Sequence, residues 1–410
     1  MDVLCDTLMV EEILPRLLPK SLLCLRAASR RYNALTSLPD FAARYWQRAG
    51  IFCQLNSIPV FLSGGEQGLA NDALAVDSII IGANLAFLPS PSDKEKAYLR
   101  RVGASETVVT VVHSAAGLLL CSRGYFHPVH FYVCNPVTWQ WVALPELPWP
   151  SNQWQSGLLT LDTKADGDGD GAARNPMRFK VVLFNHPMHW QKPDGRIDLR
   201  LFSSDTGQWK VMQLRCPIHI GEDACLWAPK LGQSGTAYWM KTNAKHQAVT
   251  YNSVNHTVQV IPLPRCVADG KWNRFIGERH GGGLRYAHSN LSVLEVWDSR
   301  TKSDGTIIWM LAHRLGAMEL LERNPEAASF LLGGDTTSSV IKPIGFHPTN
   351  DDVVFLGLPR AVATYSIENG TLSLQCTSHY DLSYSYPDGM FPFVHPPYPL
   401  LIPAINNSIQ

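Results

Sequence analysis

No apolar run in this chain of 410 residues approaches the roughly 18 residues of a membrane-crossing helix. The longest candidates, around Ser78–Pro89 and Thr107–Val112, have the length of strands. Charge is scarce and balanced: 17% of residues are charged, and 35 Lys and Arg meet 35 Asp and Glu. Such a chain has no whole-molecule field to gather nucleic acid or an anionic membrane, so neither is expected as a partner. Paired cysteines are missing too. The nine cysteines, at 5, 24, 53, 121, 134, 216, 225, 266 and 376, form no C-x-x-C pair. Zinc and dithiol sites need clustered thiolates, and a disulfide framework usually takes an even set. The opening Met1–Asp6 has no basic region or cleavage site of a secretory signal. These features point to a cytoplasmic or nuclear setting in which the cysteines serve as small buried hydrophobes.

Catalytic signatures are also absent. No G-x-S-x-G, G-x-x-x-x-G-K-[ST] or H-E-x-x-H appears, which removes the commonest hydrolase, nucleotide and metalloprotease motifs. Asp166, Asp168 and Asp170 imitate the first half of a calcium loop, but Met177 stands where a bidentate Glu belongs; a solvated hairpin extension accounts for them. His127 with His130, and His186 with His189, are spaced by turn prolines with no third ligand nearby. Gly281-Gly282-Gly283 beside Arg279, His280 and Arg285 has the makings of a backbone anion site, or of an ordinary loop between sheets. Arg26, Arg30 and Arg31 read as a solvated helix face. No cofactor, metal or catalytic residue is expected.

What is present divides in two. Over residues 1–50 the apolar period is helical: Val10, Ile13, Leu14 and Leu17, then Leu22, Leu25, Ala28 and Tyr32, then Phe41 and Tyr45. Asp6 or Thr7 can cap the first helix, Pro15 and Pro19 interrupt it, and Pro39-Asp40 opens a third that ends near Gly50. Three short helices make a small core. Surplus apolar positions such as Leu8, Leu18 and Leu23 call for a partner.

From about residue 57 the period falls to 2. A unit recurs: a strand ending in an aromatic residue, a tight polar turn, then a strand that closes on Leu or Pro. Phe131–Pro145 is the clearest copy, Leu201–Val211 the second, and Val249–Pro264, Val293–Leu311 and Ala363–Leu374 are weaker. The turn anchors are Asn135, Asp205, Asn252, Asp298 and Asn369, the last followed by Gly370 in the strongest two-residue hairpin signal. Sheet-sized units at this spacing suggest propeller blades. The fold class is therefore mainly β with a small N-terminal α unit. Six blades are expected, the sixth built from strands near 58–62 and 79–88 together with the tail around Phe391–Ile402; seven blades or a β-sandwich are the alternatives. The expected division is 1–50 helical, 51–75 linker and first strand, and 76–405 propeller-like.

Asp6, Leu8, Val10–Leu17, Pro19–Leu23, Leu25-Arg26-Ala27, Ser29–Tyr32 and Phe41 together resemble an F-box. Gly117–Cys121, Val133–Pro136 and Leu144-Pro145 are similar to the associated β-domain of the large plant F-box family. The resemblance implies the substrate-recognition subunit of an SCF-type E3 ubiquitin ligase, a non-catalytic role. Leu8, Val10, Ile13, Leu14, Leu17, Pro19, Leu22 and Leu25 would dock on a Skp-type adaptor and through it a cullin. The β-domain would hold a target protein. Candidate anchors in expected loops are Trp149, Trp154, Trp190, Trp227, Trp272, Arg274, Arg285 and Tyr286. Two other readings stay open: a carbohydrate-binding propeller, in which loop tryptophans stack on sugars, and a propeller enzyme with carboxylates or a metal converging on the axis.

Overall fold

The computed structural model describes residues 5–17, 19–55, 58–64, 85–101, 109–123, 130–147, 156–161, 178–184, 196–215, 229–240, 246–265, 273–290, 293–325, 330, 341–377, 390–396, 398 and 402–403. The chain opens as α1 (Asp6–Leu8), which continues through a π-helical turn at Met9–Ile13 and a 3₁₀ turn at Leu14–Arg16. Pro15 has no N–H to return to the preceding turn, and the segment loses α geometry there. Neither Asp6 nor Thr7 caps it; Asp6 instead accepts from Arg31 Nη2 at 2.6 Å and Nε at 3.0 Å.

Three helices follow: α2 (Pro19–Ala28), α3 (Arg30–Thr36) and α4 (Pro39–Trp46). The expected second helix thus splits in two. Ser29 is extended (φ −145°, ψ 126°) and restarts the chain as α3. The last helix stops at Trp46, not near Gly50, because β1 (Arg48–Leu55) begins two residues later.

β1 pairs on one side with β2 (Ile58–Leu62), and on the other with the C-terminal β23 defined below. Gly50 is required in β1, since a Cβ there would lie 2.2 Å from the Leu62 carbonyl oxygen. The helix α5 (Asp93–Arg101) leads into five four-stranded antiparallel sheets. Their strands are β3–β6 (Val109–Ala115, Leu118–Arg123, His130–Asn135, Gln140–Ala143), β7–β10 (Ser156–Leu161, Phe179–Phe184, Arg196–Ser203, Gln208–Arg215) and β11–β14 (Lys230–Leu231, Thr236–Met240, Gln247–Asn252, Thr257–Pro262). The last two are β15–β18 (Asn273–Glu278, Leu284–Ser289, Val293–Thr301, Ile307–Gly316) and β19–β22 (Lys342–Phe346, Val353–Leu358, Ala361–Ser366, Leu372–Thr377), with α6 (Ala317–Arg323) between them.

β23 (Met390–His395) then returns to β1, with Gly50 opposite Phe393. The sixth sheet has the order β2-β1-β23. Strands β23, β3 and β7 lie side by side, as do β11, β15, β19 and β23. Thr160 of β7 meets the turn at Gly235, which completes the ring. The result is a six-bladed propeller whose closing blade joins N- and C-terminal strands. Closure of this kind leaves no open sheet edge at the seam. Residues 51–55 and 58–62, expected as linker and first strand, both belong to this blade; 79–84 lie outside the described residues.

The repeat legible in the sequence has a common geometry. Four-residue turns join β5 to β6, β9 to β10 and β13 to β14, each ending on a left-handed residue: Trp139 (φ 59°), Gly207 (φ 65°) and His256 (φ 54°). Asn135 Oδ1 accepts from Val137 N and Thr138 N, and Asn252 Oδ1 accepts from Val254 N and Asn255 N. In the second copy the anchor is Ser203, whose hydroxyl accepts from Asp205 N, rather than Asp205 itself. Asp298 is not a turn residue either. It lies within β17, and the following turn is held by Asp304.

Cys53, Cys121 and Cys134 are buried as expected, with Cys121 and Cys134 sulfurs 3.8 Å apart on neighbouring strands. Cys5 and Cys24 are exposed, because the first helical segments leave those faces uncovered.

Candidate functional site

The helical unit is stapled to the propeller. Met9, Leu14, Leu22, Leu35, Phe41, Tyr45 and Trp46 share one continuous core with Phe52, Phe61 and Phe393 of the closing blade. Tyr45 stacks on Phe41 and meets Trp46 edge-on, and its hydroxyl donates to the Leu17 carbonyl at 2.5 Å. His395 is the pivot. Its Nδ1–H donates to the carbonyls of Trp46 (3.0 Å) and Pro396 (2.8 Å), and its Nε2 accepts from Asn135 Nδ2 at 3.2 Å. Complete burial pushes its pKa down to about 4, so the ring is neutral with its proton on Nδ1. One side chain thereby ties the end of α4, the closing blade and the Asn135 turn.

The expected adaptor residues separate into two sets. Leu14 and Leu22 are fully buried within the chain itself. They belong to the core that the helical unit shares with the propeller. Leu8 remains 43% exposed, and Val10, Ile13, Leu17 and Leu25 are partly buried, packed on the core along one side. Pro19 opens α2. Leu38, which the sequence did not single out, is 46% exposed ahead of α4. The ion pairs Arg16–Glu12 and Arg31–Asp6, both 2.6 Å, lie at the surface and contribute little stability. Arg31 therefore carries a carboxylate partner rather than standing as part of a basic patch.

At the ring axis a cavity of about 220 Å³ is lined by residues of four blades. Ile51, Leu231, Phe275, Phe346 and Met390 supply apolar wall, and Glu278, Gln233, Arg279 and His280 supply polar groups. Gln233 Nε2 donates to the Pro392 carbonyl at 2.8 Å. These two blades are not ring neighbours, so the bond spans the axis.

The tryptophans that are described serve mainly as packing. Trp209 Nε1 donates to the Pro145 carbonyl at 2.9 Å and Trp309 Nε1 to the Pro262 carbonyl at 2.7 Å, each bonding back to the preceding blade. Trp149, Trp154, Trp190, Trp227 and Trp272 lie outside the described residues. Arg274, Arg285 and Tyr286 are not loop residues: the first lies in β15 and the others in β16, where Tyr286 is fully buried. Leu284–Ser289 is paired on both sides, by β15 and β17, and is covered on both faces, which draws Arg285 and Tyr286 inside.

The anion reading of the Gly281–Gly283 turn does not hold. Arg285 Nε and Nη2 donate to Asp298 Oδ1 and Oδ2 at 2.7 and 2.9 Å, and its Nη1 donates to the Asp351 carbonyl. Arg279 Nη2 donates to Asp351 Oδ2 at 2.8 Å, and His280 N to Asp351 Oδ1. Both guanidiniums are neutralised, and Arg279 holds the Asp351 carboxyl below its ordinary range against the opposing effect of burial. The candidate calcium loop and the pair His186–His189 lie outside the described residues, as does His127. Among the described residues no group of three His, Cys, Asp or Glu is placed to hold a metal.

A helical unit seated on the closing blade of a six-bladed ring defines a propeller protein with an N-terminal helical module. The family model described as F-box protein At3g26010-like, beta-propeller, matches residues 94–378, and the chain belongs to this family of plant F-box proteins. Among curated proteins of Arabidopsis thaliana, it is 28% identical to F-box protein At5g03970, over 63% of this chain and 56% of that protein. It is 23% identical to the putative F-box/kelch-repeat protein At1g15680, over 60% and 56% of the two chains. With F-box protein At3g26010 it shares 24% identity, over 55% and 48%. The chain spans about half the length of the curated relatives it matches.

Proposed function

We propose that this chain is the substrate-recognition subunit of an SCF-type E3 ubiquitin ligase. The helical unit docks on a Skp-type adaptor, and through it on a cullin, while the propeller holds a target protein. The observation that carries this reading is the unbroken core between the two parts, locked at His395. Ubiquitin transfer by proximity requires that a target be held at a set distance from the loaded enzyme. A propeller joined by a flexible linker would spread that distance; one stapled to its docking unit does not.

Leu8, Leu38 and the partly buried Val10, Ile13, Leu17 and Leu25 form the adaptor surface. Leu8 and Leu38, each a little under half exposed, contribute about 1 kcal/mol apiece when covered, and the partly buried neighbours add to this against an association cost of about 4–15 kcal/mol. The chain contributes position, not a catalytic group, and acts in the cytoplasm or nucleus. Co-elution of the full chain with a purified Skp-type adaptor tests the reading. A stable complex is the expected result; separate elution of the two folded proteins would overturn it.

A further inference from the structure

The geometry points to the axial cavity as a recruiting pocket for one lysine or arginine side chain of the target, with Glu278 as its counter-charge. This rests on the receptor reading for the identity of the ligand as a protein. The carboxylate is deliberately seated. Its Oε2 accepts from Ser234 N at 2.9 Å, and its Oε1 accepts from the Tyr238 hydroxyl at 3.1 Å and from the Ser234 hydroxyl. Gly232 makes the room: a Cβ there would lie 2.1 Å from Glu278 Oε1.

The donors orient the carboxylate and leave its charge in place. Two guanidiniums, Arg279 and Arg285, meet the two carboxylates Asp298 and Asp351. Lys230 sets its ammonium over the Phe275 ring, 5.4 Å from the centroid. Among the described residues no Lys, Arg or His forms an ion pair with Glu278. Arg279, held by Asp351, and His280 also line the cavity, while Ile51, Leu231, Phe346 and Met390 give it an apolar part that suits the methylene stem of a long basic side chain. The size favours a side chain over a cofactor: about 220 Å³ falls below the roughly 300–1,000 Å³ of small-molecule sites.

A structural role for Glu278, bridging the blades of β12 and β15, would need only its hydrogen bonds. A recruiting role needs its charge, and the test separates the two. Short Gly-Ser peptides with one central Lys, Arg, norleucine or Glu are titrated against the full chain by peptide-observed NMR. The Lys and Arg peptides should bind and weaken with added salt, and the norleucine and Glu peptides should not bind. Glu278→Gln should weaken Lys-peptide binding about tenfold while the melting curve stays close to that of the parent chain. Equal binding of Lys and norleucine peptides by the unaltered chain, or no binding of any peptide, overturns the pocket, and neither result depends on how the variant folds. Adaptor capture on the same preparation keeps the readings apart: capture without basic-peptide binding sinks the pocket alone, and failed capture sinks the receptor reading.

Discussion

The lock at His395 makes stability depend on pH in a calculable way. The imidazole is buried and neutral, with its pKa lowered from 6.5 to about 4. The unfolded chain therefore binds this proton more readily than the folded one, so acid favours unfolding. The stabilisation is fully present above pH 6.5 and is lost progressively as pH falls toward 4. Over the whole window one such group is worth about 3 kcal/mol. Between pH 7 and pH 5 the loss is about 2 kcal/mol.

His113, whose Nδ1 accepts from Leu159 N at 2.8 Å, is pushed down to about 3 by burial and adds a second loss of the same sign. His395→Gln keeps an amide donor and acceptor but cannot titrate. Urea unfolding of the full chain and of this variant at both pH values is the assay. The variant is expected to lose about 2 kcal/mol less than the parent chain on acidification. Identical pH dependence of the two would show that His395 is not held neutral, and the account of the lock would fail.

Other substitutions test the ring itself. Asp298→Ala leaves Arg285 buried against a carbonyl alone and is expected to cost about 3–5 kcal/mol; a loss under about 1 kcal/mol in denaturant unfolding would contradict the pairing. Trp309→Phe removes the donor to the Pro262 carbonyl while keeping an aromatic ring, for a cost of about 1 kcal/mol by the same measurement; no change would make the bond between these blades irrelevant. Gly50→Ala drives a Cβ against the Leu62 carbonyl and should cost about 1–3 kcal/mol, with faster hydrogen exchange in β1 and β2. Unaltered exchange there would mean the strands pair less closely than described.

The fold was readable wherever it is written locally. Asn135 and Asn252 mark turns because an Asn side chain and a left-handed residue solve a turn within a few positions. At Asn369-Gly370 the turn is there too, but it is longer than the expected two residues, and Ser366, whose hydroxyl accepts from Asn369 N, anchors it ahead of the left-handed Gly370. The closing blade followed from the need to hide the edges of the first and last strands. The helical periodicity exposed the N-terminal helical unit, but it cannot tell which leucine lies at the surface and which lies in the chain's own core. Leu14 and Leu22 therefore read as docking residues and are core.

Long-range pairings left no local mark. Arg285 looked like a loop cation because its carboxylate partner, Asp298, comes from another strand and the carbonyl it also meets, that of Asp351, from another blade. Glu278 passed unnoticed for the same reason: Ser234 stands 44 residues away, and only the packing of one blade on the next brings the two together. The Gly232–Gly235 turn was the one available hint, as a place where something must approach the backbone closely.

The receptor reading meets its most direct test in calorimetric titration of a purified Skp-type adaptor into the full chain and into Leu8→Asp. Leu8 is exposed, so the substitution leaves the core intact, which a melting curve checks. The account predicts binding by the parent chain and at least a roughly tenfold loss in the variant, the equivalent of about 1.4 kcal/mol. Equal affinity in the two would place the adaptor elsewhere, and no heat of binding by the folded parent chain would contradict the receptor assignment outright.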